Sequence, residues 1–437
     1  MTEVERNSPR PVPPQWRRVP DDVIRIAVIG GSTPFASRLL EAMANGLGTG
    51  GADVTWDLRL LGRDETVLAL MAAHARAILG EPHRVTATPD VGQALDGCAV
   101  VIVQPRIGGL TERAIDEDLG EAVGAPADEG LGPGGARAAI RAAPAMRALA
   151  HDLQVHCPGA FVIAFTNPLS VTVSVLHGAG AVSAGVCELP LVTAYAIADR
   201  LGVDHHRLSW QFTGLSHRGF IHDVEVDGES RLSELVDSLR SDGASVGGIG
   251  ADVIAAFGAV PLKYHAMLSG ASRPSSGRAR ALQSIRDEAI AQLASDPSTP
   301  PPVLAQRSMP WYDEAVLPVV AALAGRPLRE TPPHVLDLMC DDGLVHELVA
   351  ELTPGAVTAR PPTPPADAEV RRWLHLFYEH ERLTTDFLST PTLDGLTAML
   401  AADPATPESA VDAVTAALAP DVARLADNPV AQHWLRA

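Results

Sequence analysis

Short apolar runs alternate with amphipathic stretches through the first half of the chain. Val23 to Ile29 precedes a helical pattern from Phe35 to Ala44, Val54 to Leu61 precedes Thr66 to Leu79, and Ala99 to Gln104 precedes Ala136 to Leu153. Ala160 to Phe165, Val171 to Leu176 and Val182 to Val186 continue the series. Strands that alternate with helices imply a parallel sheet joined by right-handed crossovers. Residues 23–195 are therefore expected to form a Rossmann-type dinucleotide-binding domain. Residues 1–22 hold five prolines among charged residues and are expected to be a flexible arm.

After Pro190 the pattern changes. Arg207 to Thr213 and His222 to Val226 read as strands, and Leu232 to Leu239, Ala251 to Phe257 and Ala279 to Leu293 as helices. Residues 295–310 are rich in Ser and Pro and predict a loop, followed by a helix from Tyr312 to Ala324. Arg360 to Pro365 is a second proline-rich break, and the rest is mostly helical. Residues 196–437 are expected to form an α+β domain for substrate and metal, with a helical end.

A chain of 437 residues exceeds a single core of roughly 250–300 residues. Its formal charge of −19 argues against nucleic acid or an anionic membrane as partner, while leaving room for a local basic pocket. No apolar run approaches the roughly 20 residues of a membrane span, and the start of the chain lacks the apolar core of a secretory signal. Four cysteines without paired spacing suit a reducing compartment. The expectation is a cytoplasmic protein.

Candidate chemistry gathers at strand ends, where open α/β sheets bind ligands. Phe165-Thr166-Asn167-Pro168 ends one apolar run and Cys187-Glu188-Leu189-Pro190 ends the next, placing an amide, a thiol and a carboxyl on neighbouring strands. Gly30, Gly31 and Ser32 follow the first strand, where glycines let backbone amides approach a pyrophosphate. The spacing is not the full Gly-x-Gly-x-x-Gly, and an ordinary tight turn is the competing account. The second strand ends Leu61-Gly62-Arg63-Asp64, with glycine where an acid for the adenosine ribose is expected. Arg63 suits a 2′-phosphate or a solvated loop start, Asp64 could reach the ribose, and the choice between NAD and NADP stays open.

From Gln104-Pro105-Arg106-Ile107-Gly108-Gly109 onward the chain resembles glycoside hydrolase family 4. The resemblance runs through Arg113, Asp116, Glu117, Glu129, Gly132-Pro133-Gly134-Gly135, Asn167, Cys187 and Gly214-Leu215-Ser216-His217. It covers residues from about Val23 to Gly228, and fades beyond. Family members are NAD-dependent and usually manganese-dependent glycosidases, many acting on 6-phosphosugars, with a fold related to lactate and malate dehydrogenases. The resemblance implies Cys187 and His217 as ligands of Mn²⁺ or another divalent metal, a pairing that leaves positions open for substrate oxygens. Asn167 and Arg106 are implied to contact both cofactor and substrate, Gln104 the cofactor and Glu129 the substrate; Arg278 and Arg280 are candidates for a substrate or cofactor contact, with a surface helix start the competing account for at least one of them. For Arg106 a structural ion pair with Asp116 or Glu117 is the competing account.

The resemblance also implies a reaction in which C3 of the sugar is oxidised, C2 is deprotonated, the group at C1 is eliminated, water adds, and the ketone is reduced again. The paired-carboxylate scheme of other glycosidases does not apply. Tyr264 matches the family's base, with Lys263 or His265 placed to assist, and Glu188 is the candidate acid. Ser216 stands where the family usually has Asn. The altered glycine turn, the missing ribose acid and an eroded pattern around Tyr264 together point to a divergent member. The alternatives are an NAD(P)-dependent sugar oxidoreductase or epimerase that cleaves no glycoside, and a non-catalytic cofactor-binding protein. The expected partner is a small sugar or sugar phosphate glycoside, and the family implies a homodimer or homotetramer.

Overall fold

The computed structural model describes residues 9–12, 23–45, 55–272, 274–326 and 333–431. The expected arm falls mostly outside these residues. Its described part, residues 9–12, lies along the chain near Cys340: Pro11 bridges to Cys340 and the Val12 amide donates to the Met339 carbonyl at 2.8 Å.

Six strands form a parallel sheet, and five of them match runs of the alternating pattern. They are β1 (Val23–Ile29), β2 (Thr55–Leu61), β3 (Arg84–Thr88), β4 (Val100–Val103), β5 (Phe161–Ala164) and β6 (Val182–Val186). Their order across the sheet is β3-β2-β1-β4-β5-β6, every neighbour parallel. This is the doubly wound dinucleotide-binding arrangement, in which strand order reverses between β1 and β4. Helices cover both faces, so successive strand residues enter different cores. Ile24, Ile26 and Val28 pack on one side with Leu58 and Ile102. Ala27 and Ile29 pack on the other with Val101 and Val162. Each fully buried Ile or Leu contributes about 1.5–3 kcal/mol.

The remaining strands are β7 (Leu208–Leu215), β8 (Arg218–Val226), β9 (Glu229–Ser230), β10 (Ser245–Val246), β11 (Ile249–Gly250), β12 (Val260–Pro261), β13 (His334–Met339), β14 (Val345–Thr353) and β15 (Ala356–Ala359). β7, β8, β9 and β12 make an antiparallel sheet. β13 pairs antiparallel with β6, so β13, β14 and β15 extend the first sheet to nine strands. The sheet therefore continues past the division proposed at residue 195. These three strands, β3, and the helices Gly109–Ala122 and Leu189–Leu201 were not among the expected elements. The expected helix from Tyr312 begins as a π-turn, Tyr312–Val316, and continues as Leu317–Leu323.

Candidate active site

A cleft of about 1090 Å³ opens at the carboxyl ends of the parallel strands. Ser32 follows β1, Arg63 follows β2, Gln104 and Arg106 follow β4, Asn167 follows β5, and Cys187 and Glu188 follow β6; all line the cleft. His217 and Tyr264 close it from the antiparallel sheet.

The β7–β8 hairpin is built to present His217. Its two-residue turn is Ser216-His217, with Leu215 paired to Arg218 and His217 in the left-handed region at φ 65°. The strands meet closely just below, since a Cβ on Gly214 would lie 2.3 Å from the Gly219 Cα. Only glycine tolerates that approach. The His217 ring lies against the Tyr264 ring, and the Lys263 ammonium sits 5.6 Å from the centre of the same tyrosine ring.

The glycine turn is tied down from two sides. Both Gly30 and Gly31 amides donate to the Leu61 carbonyl, at 3.0 and 2.8 Å. Gly30 lines the cleft, but Gly31 is turned inward against Leu60 and does not reach the wall. The expectation that both amides cradle a pyrophosphate is corrected accordingly, because their hydrogens are committed to the end of β2. Ser32 and Thr33, half-buried, line the cleft there. From above, Tyr312 donates to Gln104 Oε1 at 2.8 Å, and Gln104 Nε2 donates to the Gly30 carbonyl at 3.3 Å.

Arg106 does not pair with Asp116 or Glu117. Its guanidinium contacts the Glu129 carboxylate, which also accepts from Arg113 Nη1 at 2.7 Å. Arg113 Nε donates to Glu117 at 2.7 Å, and Glu117 accepts the Gly277 and Ala279 amides at the start of the helix Arg278–Ser295. Asp116 is held separately by Arg137 and Arg141, at 2.7 and 2.6 Å. A buried carboxylate shared between two guanidiniums fixes both loops.

Two expected residues fall elsewhere. Arg280 is exposed, pairs with Asp118 at 2.8 Å and does not line the cleft, whereas Arg278 does. Asp64 is the N-cap of the helix Glu65–Leu79, accepting the Val67 amide at 3.0 Å, and is also off the cleft wall. Conversely, Asp128, Arg286 and Arg307 line the cleft and were not singled out. Asp128 adjoins Glu129 and was reachable by the same motif. Arg307 sits in the Ser- and Pro-rich loop, where composition signals only a turn. Seven basic side chains and three carboxylates line the cleft, a local excess of positive charge in a chain of charge −19.

Burial governs ionisation here. It pushes the His217 imidazole down to about 3, assisted by Lys263 and Arg218, so the ring is neutral and able to ligate. Burial raises the Cys187 thiol well above its ordinary range, with Glu188, Glu347 and Asp337 adding to the effect. The Glu188 carboxyl is also raised by burial, against opposing contributions that include Lys263 and Arg307. Tyr264 is pushed well up by burial and then by Asp128, while Arg113 opposes the shift. Asp337 and Glu347, partners across β13 and β14, lie buried, Glu347 beside the Cys187 thiol, and burial raises both.

The donor set fits a divalent transition metal. A thiol and a neutral imidazole line one cleft, and the neighbouring Ser216 hydroxyl is buried without a hydrogen-bond partner. A bound cation would favour the thiolate that burial alone disfavours. The neighbouring strand ends fit a dinucleotide, with Ser32 and Thr33 at the lip of the first turn and arginine after the second strand.

Residues 25–203 match the model of the family 4 glycosyl hydrolases. The chain is 27% identical to a probable 6-phospho-beta-glucosidase of Bacillus subtilis (strain 168) over 323 residues, which are 69% of this chain and 73% of that protein. It is 31% identical to the 6-phospho-beta-glucosidase of Escherichia coli (strain K12) over 223 residues, half of each chain. Among solved structures, the 6-phospho-beta glucosidase of Thermotoga maritima, described with manganese, NAD⁺ and glucose-6-phosphate, superposes with a TM-score of 0.77 at 19% identity. That superposition covers 94% of this chain and all of the other.

Proposed function

We propose that this chain, whose residues 25–203 match the family 4 glycosyl hydrolase model, is a member of that family and an NAD- and divalent-metal-dependent glycosidase acting on a sugar phosphate glycoside. The observation that carries the reading is the convergence of Cys187 and His217, from separate sheets, on the cleft that also holds Asn167, Glu188 and Tyr264. When bound, NAD supplies reversible hydride acceptance at C3 of the sugar, and the metal supplies Lewis acidity toward the C2 and C3 oxygens. Cys187 and His217 would hold the metal. The work left to the chain is positioning, proton transfer and charge.

Tyr264 is assigned the C2 proton. Its phenol needs cationic help to act as a base near neutrality, and Lys263 and Arg113 supply positive charge beside it. Glu188 is assigned the leaving oxygen, which it protonates from its carboxyl form. Burial keeps that form populated to higher pH than for a solvated glutamate. Asn167 orients the sugar through its hydroxyls, and Arg106, fixed by Glu129, faces cofactor and substrate. The excess of arginine and lysine around the cleft supports a phosphorylated substrate, because an anionic ligand must overcome repulsion from the rest of the chain.

Incubation with NAD, Mn(II) and a panel of 6-phosphoglycosides in deuterated water tests the proposal. Aglycone release with deuterium at C2 is expected. C2 exchange or net NADH formation without release would replace glycosidase by oxidoreductase or epimerase, and neither signal would leave a binding protein.

A further inference from the structure

Resting on the metal reading above, the geometry points to Arg218, His380 and Glu381 as positioning residues, a latch by which the helix Ala368–Ser389 holds His217 in place for the metal. His217 stands at the tip of a two-residue turn, in the left-handed backbone region at φ 65°. A residue with a side chain keeps that conformation only where its surroundings impose it. The residue that follows is Arg218, which closes the turn by pairing with Leu215.

Arg218 is buried and does not line the cleft. Its Nη1 donates to His380 Nδ1 at 2.9 Å, and its Nη2 donates to the carboxylate of Glu381, which is buried as well. Burial lowers the pKa of the His380 imidazole, so its Nδ1 is free to accept. A planar guanidinium engaged through two nitrogens is fixed in orientation as well as in place. One peptide separates it from His217, so a rotation of the turn that withdrew the imidazole from the cleft would break both contacts. Phe377, from the same helix, shares an apolar cluster with Leu215 and Phe220 of the hairpin, so the helix is seated on the hairpin as well as bonded to it. A buried ion pair is a poor source of stability beside apolar side chains of the same volume. What it supplies here is direction. His380 is 162 residues beyond Arg218, and no described residue of its helix lines the cleft. The helical end of the chain therefore acts on the site through the turn alone.

The test is Mn(II) titration of the full chain, followed by the paramagnetic resonance of the free ion, beside NADH titration and thermal unfolding. Arg218→Met combined with Glu381→Leu replaces the pair by apolar side chains. This double variant is expected to melt within a few degrees of the parent and to bind NADH as the parent does, while Mn(II) affinity falls about 10- to 100-fold. Arg218→Lys keeps the charge but not the planar fork, and is expected to lose about tenfold in Mn(II) affinity. Should the double variant not fold, Arg218→Lys decides. Parent-like Mn(II) affinity in a folded variant, or parallel loss of Mn(II) and NADH binding, would overturn the latch and leave the metal reading standing. A parent that takes up no Mn(II) would overturn both.

Discussion

His217 lies flat on Tyr264, with ring centroids 4.4 Å apart and planes within 2° of parallel. The stack couples the proposed metal ligand to the proposed base, so that the turn presenting one also fixes the other. A Tyr264→Phe variant keeps the stacking ring and removes only the hydroxyl. Its melting temperature is expected to match the parent, while kcat falls about 10²- to 10⁴-fold, the range of a general base. C2 deuterium incorporation should fall in parallel. Retained exchange would reassign the base.

Cys187 is buried, and its thiol is held protonated by that burial. A metal must therefore displace a proton to gain the ligand, which makes affinity rise with pH. Cys187→Ser is expected to lower Mn(II) affinity at least about 100-fold and abolish turnover, with dinucleotide binding unchanged. Chelation of the parent should have the same effect and be reversed by adding Mn(II) back. Full activity after chelation would sink the metal assignment.

The parallel sheet was legible because its strands are buried on both faces and so read as unbroken apolar runs, as Val100 to Val103 does. β13 and β14 were not, because buried Asp337 and Glu347 interrupt their apolar runs and face each other across the pair. Nothing local announces that β13 returns to β6, roughly 150 residues earlier in the chain. The strand-end residues Asn167, Cys187 and Glu188 were readable from position alone, since the crevice lies at the carboxyl ends of the strands. Arg280 was misplaced for a different reason. On a helix it points about 200° away from Arg278, and the start of that helix is oriented by Glu117, a contact across 160 residues.

Tyr312 is buried, and through Gln104 its hydroxyl reaches the Gly30 carbonyl. It touches neither proposed reacting group, so it is a positioning residue for the first turn. Tyr312→Phe removes one hydrogen bond and leaves the ring packed edge-on against Phe165 at 5.6 Å. The expected cost is about 1 kcal/mol of stability and a few-fold weaker dinucleotide binding. Mn(II) affinity should not change. Denaturant unfolding and the two titrations separate this from a general loss of structure.

Acid should weaken the fold through buried imidazoles outside the cleft. His265 packs against Phe257 and Trp373, with ring centroids 4.9 Å away in each case, and burial lowers its pKa from 6.5 to about 4. The unfolded chain binds that proton more readily, so the neutral ring's full contribution is present above pH 6.5 and is lost as the pH falls toward 4. The loss amounts to about 2 kcal/mol by pH 5. His265→Phe keeps an aromatic ring against the same neighbours and has no proton to take up. Its unfolding free energy is expected to change less between pH 7 and pH 5 than the parent's, by about that amount. Equal slopes for parent and variant would show that His265 does not titrate in this range.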